Sequence, residues 1–171
     1  MRHRLPLHYP AGGLAPCPQI PLILFFMTQL PSFDEIAAAH GHRCPGIAIG
    51  YKMAKAAAKW AGDAPVTVYA TTTRCPLDAL RHTFGLTDET LKIEDKGELH
   101  FILEKPNGEK LFIDEVPGSK IKNAEGDALR EKVRAGTASA EETARFNEIQ
   151  EELLEQAFST PDEKLFTLRT E

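Results

Sequence analysis

Two imidazoles and a thiol fall within five residues in the stretch His40-Gly41-His42-Arg43-Cys44-Pro45-Gly46. A proline at the first helical position lacks an N–H that would have no intrahelical partner there, so Cys44 falls at or beside the N-cap of a helix predicted over 45–62. The positive end of the helix dipole favours a thiolate, which is the form that acts as nucleophile and as soft-metal ligand. Thr72-Thr73-Arg74-Cys75-Pro76-Leu77-Asp78 repeats the device: a cysteine, a proline at the first helical position, and a carboxylate in the first turn. If the fold joins the two helix starts, His40, His42, Cys44 and Cys75 form a set suited to zinc or another borderline metal. Three readings of these residues stay open: a transition-metal site, a purely structural turn, and a metal-free thiol redox pair. The H-x-H-x-C spacing matches no standard zinc-ribbon knuckle. With no metal bound, both thiols are expected to be acidified below the reference value of about 8.5 by their helix ends. No residue is assigned a catalytic role, and no organic cofactor site is read.

The neighbours of the two motifs carry weaker signals. Asp78 reads equally as a first-turn charge favoured by the helix dipole and as an acceptor that orients a ligand imidazole. Arg74 could lower the pKa of Cys75, bind an anionic substrate, or stand as a plain surface arginine. Tyr69 and Thr72, at a strand end, are lesser candidates. His82 and His100 read as structural, and Cys17, in a Pro-punctuated segment with no helix after it, is given no role.

The elements that must position these residues follow from periodicity and caps. Ser32 with Glu35 three residues on is a capping box that opens a short helix to about residue 39, which Gly41 breaks. The 45–62 helix places Ile47, Tyr51, Ala54, Ala58 and Ala61 on one stripe and Lys52, Lys55 and Lys59 on another, read as solvated. Gly46 and Gly50 would let another backbone approach its first turns. Residues 66–72, β-branched and aromatic, read as a strand that delivers Cys75 to its end. A helix over 76–84 stops at Gly85, and 91–93 is a possible short strand. Strands 98–104 and 110–115 form a hairpin through Pro106-Asn107-Gly108, their weak alternation suggesting that one or both faces are covered. Helices follow over 127–135 and 139–158, the second opened by the Ser139/Glu142 capping box, and 164–170 could return as an edge strand. The resulting fold class is α+β: one domain with a mostly antiparallel sheet, the Pro45 helix across one face, and an acidic helical segment appended at the C-terminal end.

Composition bounds the function. The 171 residues, 42% hydrophobic and 26% charged, suit one domain with a single core. A net charge of −5 with no concentrated run of Lys and Arg argues against nucleic acid as a partner. Three cysteines, an odd number, suit a reduced cytoplasmic protein. Residues 1–27 are predicted to be a disordered extension ahead of a domain over 28–171. Its apolar run is interrupted by Pro21 and is too short to span a bilayer, so no membrane association is expected.

The two motifs, with Gly50 four residues past Gly46, Met53-Ala54 beyond it, and Thr73-Arg74-Cys75-Pro76-Leu77-Asp78-Ala79 at its distance, resemble the FmdE family, named for the E component of formylmethanofuran dehydrogenase. The resemblance covers roughly residues 33–117. It implies an α+β domain that dimerises and holds a metal through its His/Cys motif near the second cysteine, with His42, Cys44 and Cys75 matching the family's site and His40 matching the first histidine of its HGH. The metal expected is zinc, and the function expected is that of a metal-binding protein, redox or one-carbon related, acting as a homodimer with a partner dehydrogenase or a small-molecule substrate. The alternative is a non-catalytic metal or cofactor carrier. The chain departs from many members in two places. Phe84-Gly85-Leu86-Thr87 stands where they carry Gly-Cys-Thr, and no cysteine follows Cys75, whereas many members end in a four-cysteine zinc module.

Overall fold

The computed structural model describes residues 30–171, so Cys17 and the predicted extension over 1–27 lie outside the described residues. The elements run α1 (Phe33–His40), α2 (Pro45–Ala61), β1 (Thr67–Ala70), α3 (Pro76–Phe84), β2 (Leu91–Ile93), β3 (His100–Glu104), β4 (Lys110–Glu115), α4 (Ala124–Arg134), α5 (Ala140–Ser159) and β5 (Phe166–Thr170), with a 3-10 turn at Asp162–Lys164 before the last strand. The class is α+β, as the periodicities predict. Both capping boxes form, Ser32 with Glu35 on α1 and Ser139 with Glu142 on α5. Each satisfies two N–H groups that a helix start otherwise leaves open.

The five strands make one mixed sheet in the order β2-β1-β3-β4-β5. β1 pairs in parallel with β2, and every other pairing is antiparallel. The hairpin is in register through Ile102 opposite Phe112 and Leu103 opposite Leu111. Its burial alternates strictly: Phe101, Leu103, Leu111 and Ile113 are buried, and the residues between them are partly open. One face is therefore packed, and the outward row Tyr69, Ile102 and Phe112 is left without full cover. β5 is the edge strand that residues 164–170 suggested.

The packed face receives α1, α2 and α3. Ile36, Ile47, Met53 and Leu80 interlock with Val68, Phe101, Leu103 and Ile113 in the main apolar cluster. Close packing of this kind, in which interior side chains have no room to shift, fixes where the helix starts lie. α5 lies on α2 through Ala48, Leu154 and Ala157, and on α4 through Leu129, Ile149 and Leu153. The apolar stripe of α5, made by Ile149, Leu153, Leu154 and Ala157, is thus used inside the protomer.

Two readings change. α4 starts at Ala124 rather than at residue 127, because Asn123 is its N-cap and accepts the Gly126 N–H at 2.9 Å. Lys52 is not on a solvated stripe. Its Nζ donates to the carbonyls of Ala157 (3.2 Å), Phe158 and Thr160, pairs with Asp162 at 3.0 Å, and closes the C-terminal end of α5, where the last carbonyls have no helical partners. No helix among the described residues is long and apolar enough to cross a membrane.

Candidate metal centre

The site is built from three helix ends. α1 finishes at His40, and Gly41 takes φ +95°, a left-handed conformation that costs a glycine little, so the chain reverses at once. The reversal stacks the His40 and His42 rings with centroids 4.5 Å apart. Two residues later Cys44 caps α2, its Sγ accepting the Ile47 N–H at 3.4 Å. One donor atom from each of His40, His42 and Cys44 lies within 4.8 Å of the other two.

The third helix end brings Asp78 and Cys75. Asp78 Oδ2 lies 2.8 Å from His40 Nδ1. A carboxylate accepts only from a protonated nitrogen, so this bond leaves the lone pair on Nε2, and Nε2 is the nitrogen facing Cys44 Sγ at 3.8 Å. Asp78 thus accepts from the His40 ring and orients it, and it also stands in the first turn of α3. The His40 side chain is only 9% exposed, which holds the ring against drift.

Cys75 stands beside this trio without belonging to it. A Cβ placed on Gly46 would lie 3.0 Å from Cys75 Cβ, 3.4 Å from its Sγ and 3.8 Å from Cys44 Sγ, so Gly46 forms the floor on which the two thiols meet. The expectation that Cys75 caps α3 is not met. Its backbone is already helical (φ −42°, ψ −40°), and its side chain makes no cap hydrogen bond. The turn into α3 is instead shaped by Thr72, fully buried, whose hydroxyl accepts the Arg74 N–H at 3.2 Å.

The two thiols also differ electrostatically, where both were expected to be acidified. Cys44 is pushed up, because it donates its proton to Cys75 and because it is buried away from water. Cys75 is lowered to about 5, chiefly by accepting that hydrogen bond, with the neighbouring His40 side chain adding to the effect. The two thiols titrate as a coupled pair, with Cys75 the more acidic of the two.

Two imidazoles and two thiols of opposite proton demand, with one imidazole fixed by a carboxylate and a glycine floor between the sulfurs, fit a borderline transition ion. The residues form a possible His/Cys metal-binding group, in which His40, His42 and Cys44 converge directly and Cys75 borders them.

A cleft of about 910 Å³ opens beside the group and is lined by His42, Cys44 and Cys75. Arg74, one of the ambiguous residues, reaches this wall and pairs with Glu115 at 3.3 Å. Lys120, Lys122 and Gln150 also line it, and the sequence reading missed all three. The one available signal was the alternation Lys120-Ile121-Lys122, which contains too few residues to mark a wall.

Comparison with known proteins points one way. No curated protein matches the chain. A solved structure from Syntrophus aciditrophicus, described as a tungsten formylmethanofuran dehydrogenase FmdE-like protein, is similar over 82% of this chain and 72% of its own, with a TM-score of 0.52 and 19% identity. At that identity the likeness speaks for the fold alone. The family model described as FmdE, molybdenum formylmethanofuran dehydrogenase operon, matches residues 39–167. That span takes in the His/Cys turn, Cys75 and all five strands but for the last residues of β5, and the chain belongs to the FmdE family.

Proposed function

We propose that the chain binds one transition-metal ion, zinc in the purified protein, through Cys44, Cys75 and the two histidines, and that it serves redox or one-carbon chemistry on a small molecule held in the adjoining cleft. The observation that carries this reading is the convergence of His40, His42 and Cys44 donor atoms within 4.8 Å, with Asp78 holding His40 in the tautomer a ligand needs. An ion there would supply Lewis acidity. The chain's own residues do the rest. Asp78 fixes His40, Gly46 keeps the thiols close, and the cleft brings a substrate to the exposed His42. Elemental analysis of protein purified without an affinity tag tests the reading. About one equivalent of metal, lost with a chelator and regained on adding zinc, is expected. Less than about a tenth of an equivalent, unchanged by zinc, would overturn it.

A carrier without catalysis is the second reading, and the cleft is what argues against it, since a storage site gains nothing from an opening of that volume. Cobalt substitution separates the two. A site that keeps an exchangeable position changes its visible spectrum with azide or cyanide, and a closed site with four protein ligands does not.

The proposal includes a homodimer that works with a partner dehydrogenase in the cytoplasm. With the α5 stripe already buried, what supports self-association is the partly open row Tyr69, Ile102 and Phe112 on the outer face of the sheet, together with the pairing that the family resemblance implies. Light scattering at micromolar concentration is expected to give twice the chain mass, and a monomer mass would refute it.

A further inference from the structure

We infer that the cleft beside the His/Cys group binds an anionic organic molecule, an apolar body carrying a phosphate or carboxylate group. The volume of about 910 Å³ falls in the range of small-molecule sites. The charge of its wall runs against the charge of the chain. The protein carries net −5, yet six basic side chains line the cleft against three acidic ones. Each of those acids is already answered from the same wall: Glu115 by Arg74 at 3.3 Å, Asp127 by Arg130 at 2.8 Å, and Glu151 by Arg43 at 3.6 Å. Arg134 pairs outside the lining, with Glu131 at 3.5 Å. Lys120 and Lys122 remain, with no carboxylate within ion-pair distance among the described residues.

These two lysines are positioned by the residue between them. Ile121 packs against all three apolar clusters of the core, so the segment joining β4 to α4 is anchored, and its flanking lysines stay at the rim. Pro45, Gly46 and Pro76 also line the cleft, which means that α2 and α3 turn their N-terminal ends toward it and add their dipoles to the same sign. Ile49, Ile121, Val133 and Phe146 supply the apolar wall. Gln150 completes it, and its Nε2 is the one buried side-chain nitrogen or oxygen without a hydrogen-bond partner among the described residues. A donor left this way carries a cost that an acceptor on a ligand would remove. Anion, apolar body and carbonyl or carboxylate acceptor together define the ligand class.

That the bound molecule is what the metal acts on rests on the metal-site reading; that it binds does not. The test is a heteronuclear NMR titration of the full chain, metal-free and zinc-loaded, with phenyl phosphate, benzoate and phenol. Saturable shifts are expected for the amides of residues 46–49, 74–75 and 120–123 with at least one of the two anions, which also tells phosphate from carboxylate. Phenol, with the same ring and no charge, is expected to bind about tenfold more weakly. The double variant Lys120→Ala/Lys122→Ala is expected to lose about tenfold in affinity for that anion, and Lys55→Ala/Lys59→Ala, on the exposed face of α2, to lose none. Equal binding of phenol, the same loss in the Lys55/Lys59 control, or no saturable shift with either anion would overturn the inference. Anion binding by a chain that takes up no zinc would overturn the metal reading and leave this one standing, and zinc uptake with no anion binding would do the reverse.

Discussion

At His40 the decisive contact is 2.8 Å long and spans 38 positions of sequence. Removing it in Asp78→Ala frees the ring to swap tautomers, so zinc affinity is expected to fall about 10–100-fold, read by competition with a chromophoric chelator. The melting temperature of the metal-free protein should move only slightly, because the Asp78 side chain is 41% exposed and its other contribution is that of a first-turn charge. An unchanged affinity would mean that His40 is not a ligand. Cys75→Ser is expected to weaken the metal in the same assay while leaving the metal-free fold intact. The reason is that the residue caps nothing and contributes only its sulfur. Retained stoichiometry and affinity would leave Cys44 and the histidines to hold the ion alone. The identities of these residues were legible in the sequence, since helix-start prolines and an H-x-H-x-C turn are local signals. The roles were not. Whether Asp78 orients a ring, or which of two thiols is the more acidic, depends on which helix ends meet, and that is decided by the core.

At the scale of elements, the meeting of α2 with α3 depends on Gly50. A Cβ there would lie 2.5 Å from Pro76 Cα and 3.0 Å from Ala79 Cβ, and backbone cannot step aside as a side-chain tip can. Gly50→Ala is therefore expected to destabilise by at least about 1–3 kcal/mol and to push the start of α3, with Cys75, away from Cys44. Loss of zinc affinity larger than in Cys75→Ser, together with a lowered melting temperature, would show the second effect. A stability equal to wild type would show that the helices are not this close. The Gly46/Gly50 spacing announced a close approach, and the structure supplies its partner. Lys52 shows the opposite case. Its spacing with Lys55 and Lys59 looked like a solvated stripe, because the carbonyls it closes come from 105 positions later. With its side chain 13% exposed, Lys52→Met is expected to cost about 1.5–3 kcal/mol and to loosen the end of α5, seen as faster amide exchange there. The start of α4 was misplaced for a smaller reason. The change in composition begins at Asp127, while the cap that sets the boundary is a single asparagine.

For the whole molecule, strand count and class could be read from turns and periodicity, but the order β2-β1-β3-β4-β5 could not. β2 is three residues long and pairs in parallel with β1 only because α3 carries the chain across between them, a choice made by packing rather than by strand residues. The same division sets α4 apart from the rest: it meets α5 only through Leu129, Ile149 and Leu153 with two partly buried neighbours, whereas α5 is also held on α2 by Ala48, Leu154 and Ala157. Exposed ion pairs supplement that contact. Arg145 binds Glu125 through two nitrogens, both at 3.1 Å, and Lys132 pairs with Glu142. Arg145 holds the Glu125 carboxyl below its ordinary 4.5, and Lys132 with the Ser139 N–H does the same for Glu142. A carboxyl whose pKa is lower in the fold than in the open chain stabilises fully above the open-chain value and loses that contribution as pH falls through the folded one. The contribution is therefore intact at neutral pH and disappears from about pH 4.5 downward. Because these groups are exposed, each pair is weak alone and is screened by salt. Lowering the pH from about 5 to about 3 is thus expected to open α4 before the sheet, with its amides losing exchange protection while Phe101, Leu103 and Ile113 keep theirs. About 1 M salt at neutral pH should move α4 in the same direction and by less. If α4 at low pH remained as protected as β3 and β4, the apolar contacts of Leu129, Ile149 and Leu153 would be holding it on α5 by themselves.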